Sequence, residues 1–279
     1  MQKERLARYS EKQFSEAVND AYEKLTKNAR RVEKPLATLL GGQPGAGKMT
    51  LHDILKNRDP NTIVIDADTF REMHPNFFAL SEKYSDTVPF TAQFSGKMTE
   101  ALIDKLSDKR YNLVIEGTLR TTDVPEKTAS LLKSKGYTTQ LYVMAVSAQE
   151  SWQGTIDRFN RMKEMGNVAR ATDKGYHDMI VAALPENLGK LHENGAFDKI
   201  CLYTREKECV YDSQNAPDIN PGEIIKAALE GKPYNECTVG KPDQRTLKEY
   251  RELINTGKNV LENMGAKLEI PAKHKDFIR

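Results

Sequence analysis

The chain is short of cysteine, of net charge and of long apolar runs, and each shortage removes a class of protein. Cys201, Cys209 and Cys237 are the three cysteines among 279 residues. Their number is odd and none has CxxC spacing, which argues against a disulfide framework or a zinc site. The 42 basic and 40 acidic residues leave a net charge of +2. Near-balance gives no support for binding nucleic acid or an anionic membrane. No stretch approaches the roughly 20 apolar residues that span a bilayer. The opening MQKERLARYSEKQ lacks the apolar core of a signal peptide, so the expected setting is the cytoplasm, with thiols reduced. Neither an NKxD guanine motif nor a DxxG switch is found, which disfavours a GTPase switch.

With 38% hydrophobic and 29% charged residues, the chain has the composition of a folded globular protein. Residues 10–33 read as an amphipathic helix. Ser10 is placed to cap it, with Gln13 as capping-box partner, and Phe14, Ala17, Ala21 and Leu25 share a face that docks on the rest of the chain. From residue 35 short apolar runs alternate with helical patterns. The runs are 37–40, 62–66, 113–116, 141–146 and 200–203. The helices fall near 47–57, 89–109, 124–135, 148–164 and 173–194. Apolar strands alternating with helices predict a parallel sheet covered on both faces, with ligands at the carboxyl ends of the strands. Residues 210–212 suggest a short edge strand. Residues 221–231 and 243–263 read as helices, with a linker marked by Pro233 and Gly240-Lys241-Pro242 and a poorly ordered tail, LEIPAKHKDFIR.

The first strand runs into Gly42-Gln43-Pro44-Gly45-Ala46-Gly47-Lys48, a GxxxxGK pattern between a strand and a helix. Glycines let the backbone curl so that several N–H groups face phosphate oxygens, and the following helix adds its positive end. Lys48 can reach the β- and γ-phosphates as a point charge. The next position, which carries a magnesium-binding hydroxyl in this motif, is Met49. A thioether is a soft ligand for a hard cation. Thr50 follows, rotated about 100° around the helix axis. The missing ligand predicts a loss of ~10–100-fold in rate. Nucleotide binding is therefore the firmer expectation and full catalytic competence the weaker.

Two more strand ends carry polar groups. Of Asp66 and Asp68, one is suited to take a proton from a substrate hydroxyl and the other to hold magnesium through water; either could instead cap a helix. Glu116 closes the third strand, with Thr118 and Arg120 beyond it. Arg120 suits an anionic substrate such as a diphosphate, unless it simply pairs with Glu116. Arg158, Arg161 and Arg170 lie in a helix–loop–helix segment, 148–175, that could act as an arginine-bearing lid on a transferring phosphoryl group. His74, His177, His192 and His274 show no ligand spacing or triad partner and read as structural or exposed.

The segments LLGGQPGAGK, VIDADTFREMHPNF, YNLVIEGTLRTTDVP and GTIDRFN…ARAT resemble the zeta toxin family of bacterial toxin–antitoxin systems, over roughly residues 10–213. The resemblance implies an α/β fold: a P-loop kinase-like parallel sheet of about five strands flanked by helices. It implies a kinase domain at 1–215 including the N-terminal helix, leaving 216–279 as a C-terminal helical extension with no motif to carry over. The implied activity is ATP- and Mg²⁺-dependent phosphorylation of the 3′-hydroxyl of the amino sugar of UDP-N-acetylglucosamine. By motif, Lys48 matches the P-loop lysine, Asp68 the catalytic base, and Arg158 and Arg170 the arginines at the transferring phosphate. Glu100, Glu116, Thr118 and Arg120 match positions lining the sugar-nucleotide pocket. A small helical antitoxin covering the ATP site is the implied partner. Met49 departs from the family pattern. A nucleoside, polynucleotide or antibiotic kinase of the same fold is the alternative enzyme reading, because fold alone does not fix substrate. A catalytically weak nucleotide-binding protein acting through its partner is the non-enzymatic one.

Overall fold

The computed structural model describes residues 5–84, 86–166 and 171–232. Helix α1, Glu11–Thr26, starts where the spacing predicts. Ser10 Oγ accepts from Gln13 N at 3.2 Å, and the Gln13 side chain accepts from Ser10 N at 2.9 Å, so each satisfies an orphan donor of the other. Ala17, Val18 and Ala21 are its buried residues. The helix ends at Thr26 rather than 33. Only Ala29 and Val32 are apolar between there and Pro35, too few to make a face worth burying.

Among the described residues six strands form one sheet: β1 (Leu36–Gly41), β2 (Ile63–Ile65), β3 (Leu113–Glu116), β4 (Thr138–Met144), β5 (Lys199–Tyr203) and β6 (Cys209–Asp212). Their order is β2-β3-β1-β4-β5-β6. The first five strands in sequence run parallel and β6 turns back antiparallel on β5, adding the edge strand to the five expected. Residues 37–41 of β1 are all buried, since helices cover both faces of a parallel sheet. β4 starts three residues before its apolar run. Thr139 N and Oγ1 both donate to Asp198 Oδ2, at 2.7 and 3.0 Å, and this pairing lets polar residues enter the sheet.

Further helices among the described residues are α2 (Met49–Arg58), α3 (Ala67–Arg71), α4 (Phe77–Lys83), α5 (Val88–Ser107), α6 (Asp123–Ser134), α7 (Ala148–Glu164), α8 (Lys174–Glu193) and α9 (Pro221–Leu229). α3 and α4 escape the sequence reading because neither reaches the length at which a 3.6-residue period declares itself. Leu51 and Leu55 of α2 pack on Leu40, Val114, Tyr142 and Met144. Truncating the fully buried Leu51 to Ala would cost about 2–5 kcal/mol. α9 packs on α8 and buries Ile224, Ile225 and Ala228. The helix expected at 243–263, the linker before it and the tail lie outside the described residues, as do Cys237, His274 and Arg170. Among the described residues no helix is long and apolar enough to cross a membrane.

Candidate functional site

The strand order sets the carboxyl ends of β2, β3 and β1 side by side, so the polar residues after each converge. After β1 the chain curls through the glycine-rich loop. Gly45 has φ +76°, and a Cβ there would lie 2.0 Å from the Ser151 carbonyl oxygen, so both conformation and space demand glycine. Lys48 Nζ donates back across the loop to Gly42 O at 3.2 Å. Burial lowers its ammonium from the ordinary lysine value, with Arg158 acting the same way and Glu116 opposing. Among the described residues no side chain caps the N-terminus of α2. Gln43 points inward: its Nε2 donates to Val146 O at 2.9 Å, and its Oε1 is buried without a partner among the described residues. Met49 is 77% exposed, and the Thr50 N–H donates to Gly47 O at 2.9 Å.

The two aspartates separate by role. Asp66 is the N-cap of α3; its Oδ1 accepts from Asp68 N at 2.9 Å and its Oδ2 from Thr69 Oγ1 at 3.2 Å. Burial and the nearby Glu116 push its carboxyl above the usual range, against the Asp68 N–H. Asp68, in the first turn of α3, accepts from Arg71 Nε at 3.0 Å.

Glu116 does not pair with Arg120. Its Oε1 lies 2.8 Å from His52 Nε2, off the line of a good hydrogen bond. Burial pushes the Glu116 carboxyl up, but His52 and Lys48 outweigh it and hold the group below the usual carboxylate range. Arg120 instead stands 6.0 Å from the Tyr176 ring centroid. Between Thr118 and Arg120 sits Leu119, a non-glycine residue at φ +54°, buried against Gly41. Such strain costs on the order of 1–3 kcal/mol and re-aims the two flanking side chains.

These residues line two adjoining hollows. A cleft of about 520 Å³ is walled by Pro44, Lys48, Asp66, Asp68, Arg71, Glu116, Thr118 and Arg158. A smaller one of about 270 Å³ holds Arg120 with Leu119 and Val124. Glu116, Thr118 and Tyr176 border both. Arg158 Nη2 donates to Thr172 Oγ1 at 3.1 Å, while Arg161 is exposed and lines neither. Glu100 is exposed on α5 and lines neither hollow. His52, Arg71 and Tyr176 were not singled out by sequence. His52 had one signal, its position four residues after Lys48 on the same helix face.

His177 is structural, as its lack of ligand spacing suggested, but it does have triad-type partners. Ser151 Oγ is 3.0 Å from its Nε2 and Asp178 Oδ1 is 3.1 Å from its Nδ1, a Ser–His–Asp arrangement that no sequence spacing announced. Ser151 and His177 are both fully buried, so no substrate can reach the hydroxyl and the set pins α7 to α8. His74 is packed among Tyr9 and Phe94, and burial lowers its imidazole. His192 Nε2 lies 3.0 Å from Pro217 O.

A family model described as Zeta toxin matches residues 19–216. The chain is 44% identical over 257 residues to Toxin zeta of Streptococcus pyogenes, covering 91% of this chain and 88% of that protein. It is 46% identical over 209 residues to Toxin PezT of Streptococcus pneumoniae, covering 74% and 83% respectively. A solved chain from the PezAT chromosomal toxin–antitoxin system of Streptococcus pneumoniae superposes with a TM-score of 0.74 at 36% identity. It covers 89% of this chain and 98% of its own.

Proposed function

The chain belongs to the zeta toxin family, and from that premise we propose that it is the toxin of a toxin–antitoxin pair, an ATP-dependent kinase of UDP-N-acetylglucosamine. The observation that carries this reading is the single cleft where Lys48, Asp68, Glu116 and Arg158 meet, opening into a second hollow with Arg120. The cradle at 42–50 holds the triphosphate. Asp68 accepts the proton of the 3′-hydroxyl on the amino sugar as that oxygen attacks the γ-phosphorus and the bond to the β-phosphate breaks, releasing ADP. Lys48 and Arg158 spread positive charge over the transferring oxygens, and Arg170 joins them by motif. Thr118 and Arg120 hold the acceptor, with Arg120 on its diphosphate. The place of Glu100 in that pocket rests on motif alone.

Asp66, Asp68 and Glu116 give the cleft hard carboxylate oxygens, a donor set that fits Mg²⁺, which takes one or two carboxylates alongside substrate phosphates. Asp66 and Glu116 would hold the ion, leaving Asp68 for the proton. Bound there, Mg²⁺ would neutralise phosphate charge. Met49, pointing to solvent, adds nothing to it, and that exposure favours a second reading: a slow enzyme acting mainly through its antitoxin. The proposed partner is a small helical antitoxin over the ATP site, and the proposed setting is the cytoplasm.

The test is mass-spectrometric. The chain and its Met49→Thr variant are offered ATP with UDP-N-acetylglucosamine or with nucleosides. A mass gain of one phosphate on the sugar nucleotide alone is expected. Phosphorylated nucleosides and an untouched sugar nucleotide would overturn the substrate.

A further inference from the structure

A phosphate cradle turns backbone N–H groups inward, so the carbonyls of the same peptides turn outward and need donors of their own. In this chain two of those carbonyls are met by a residue about 160 positions away. Arg205 lies in the turn between β5 and β6. Its Nη2 donates to Gly45 O at 2.6 Å and its Nε to Ala46 O at 3.3 Å. The same Nη2 is 3.1 Å from Glu150 O, in the first turn of α7. One edge of the planar guanidinium therefore spans two consecutive cradle carbonyls, a rigid two-nitrogen geometry that a lysine ammonium lacks.

The surroundings are built for that contact. Thr204 N donates to Glu208 O at 3.0 Å to close the turn, and Lys207 Nζ reaches Asp53 of α2 at 3.3 Å. Gly154 sits inside α7, where glycine weakens a helix. A Cβ there would come within 2.5 Å of Gly45 O and 2.9 Å of Arg205 Nη2, so the glycine leaves room for the loop and the guanidinium together.

We propose that Arg205 is a positioning residue for nucleotide binding: it fixes the two peptide planes that carry Gly45 O and Ala46 O, the first also tied to Gln43 O through the Ala46 N–H at 3.2 Å, and so holds the loop in the curl that receives the phosphates. The inference rests on the nucleotide-binding reading of the loop. Equilibrium binding of ATP and of inorganic pyrophosphate to the full chain tests it. Arg205→Met and Arg205→Lys should each weaken both ligands by about 10-fold or more, and by similar factors, because the lost contact is to the cradle and charge alone does not restore it. Unchanged binding by Arg205→Met would overturn the inference. Weakened ATP with unaffected pyrophosphate would also overturn it, placing Arg205 at the base instead. Should the Arg205 variants unfold, Gly154→Ala decides: it keeps the arginine but crowds the contact, so loss of both ligands supports the inference and wild-type affinity defeats it. A wild-type chain that binds neither ligand would remove the nucleotide reading itself, and this inference with it.

Discussion

Arg71 Nε lies 3.0 Å from Asp68 Oδ1, one turn along the five-residue helix α3. The guanidinium lines the same cleft, so the carboxylate proposed as general base is oriented from within its own helix. Asp68→Asn should abolish turnover while ATP affinity stays within about twofold. Arg71→Ala should lower kcat by roughly 10-fold, with Arg71→Lys restoring part of it. Steady-state kinetics beside ATP binding read both. Turnover retained by Asp68→Asn would remove the base from the mechanism.

His52, together with Lys48, holds Glu116 ionised against its burial. In His52→Ala the His52 part of that counterweight is lost while Lys48 remains, so the Glu116 carboxyl should titrate at higher pH than in the wild type, as read by carboxyl-carbon NMR. The folded carboxyl lies below its unfolded value, so it stabilises the fold above about pH 4.3 and loses that contribution as pH falls through the folded value. The stability gap between wild type and variant should therefore narrow on acidification. A gap of constant size would mean that the pair does not couple.

Met49→Thr restores a hydroxyl at the start of α2, where the motif places one for magnesium. Turnover with magnesium-ATP should rise by roughly 10–100-fold, with a smaller change in affinity for ATP without metal. Equal turnover in the two chains would show that Met49 is no handicap.

Arg120 faces Tyr176 in the smaller hollow, away from the cradle. Arg120→Ala should raise KM for a diphosphate acceptor by about 10-fold and leave KM for ATP nearly unchanged. An effect confined to ATP would move the residue to the other subsite.

Tyr137 supplies a test of the fold. Its hydroxyl donates to Tyr111 O at 2.7 Å, and burial pushes its pKa up to about 12. The unfolded chain releases this proton near pH 10, before the folded one does, so the stabilisation is intact below about pH 10. It falls by up to about 1.4 kcal/mol per pH unit as pH rises toward the folded value. Tyr137→Phe should be about 1 kcal/mol less stable at neutral pH, yet lose less on going alkaline. Urea denaturation across that range reads both effects.

The sequence by itself determined the parallel sheet and its phosphate loop. Continuous apolar runs between helices fit strands buried on both faces, and GxxxxGK between a strand and a helix fits a loop that curls around phosphates. It also named Lys48, Glu116 and the Asp66/Asp68 pair, because polar residues at strand ends stand out against apolar runs. Only the tertiary structure decided that Asp66 caps α3 while Asp68 meets Arg71, that Glu116 pairs with His52 rather than Arg120, and that Glu100 stands outside both hollows. It alone brought Arg205 to the cradle and Ser151 to His177. The physical reason is range. Periodicity and motif spacing report on neighbours within a turn or a strand, whereas these pairings depend on which strands lie side by side, and that is settled by packing across the whole sheet.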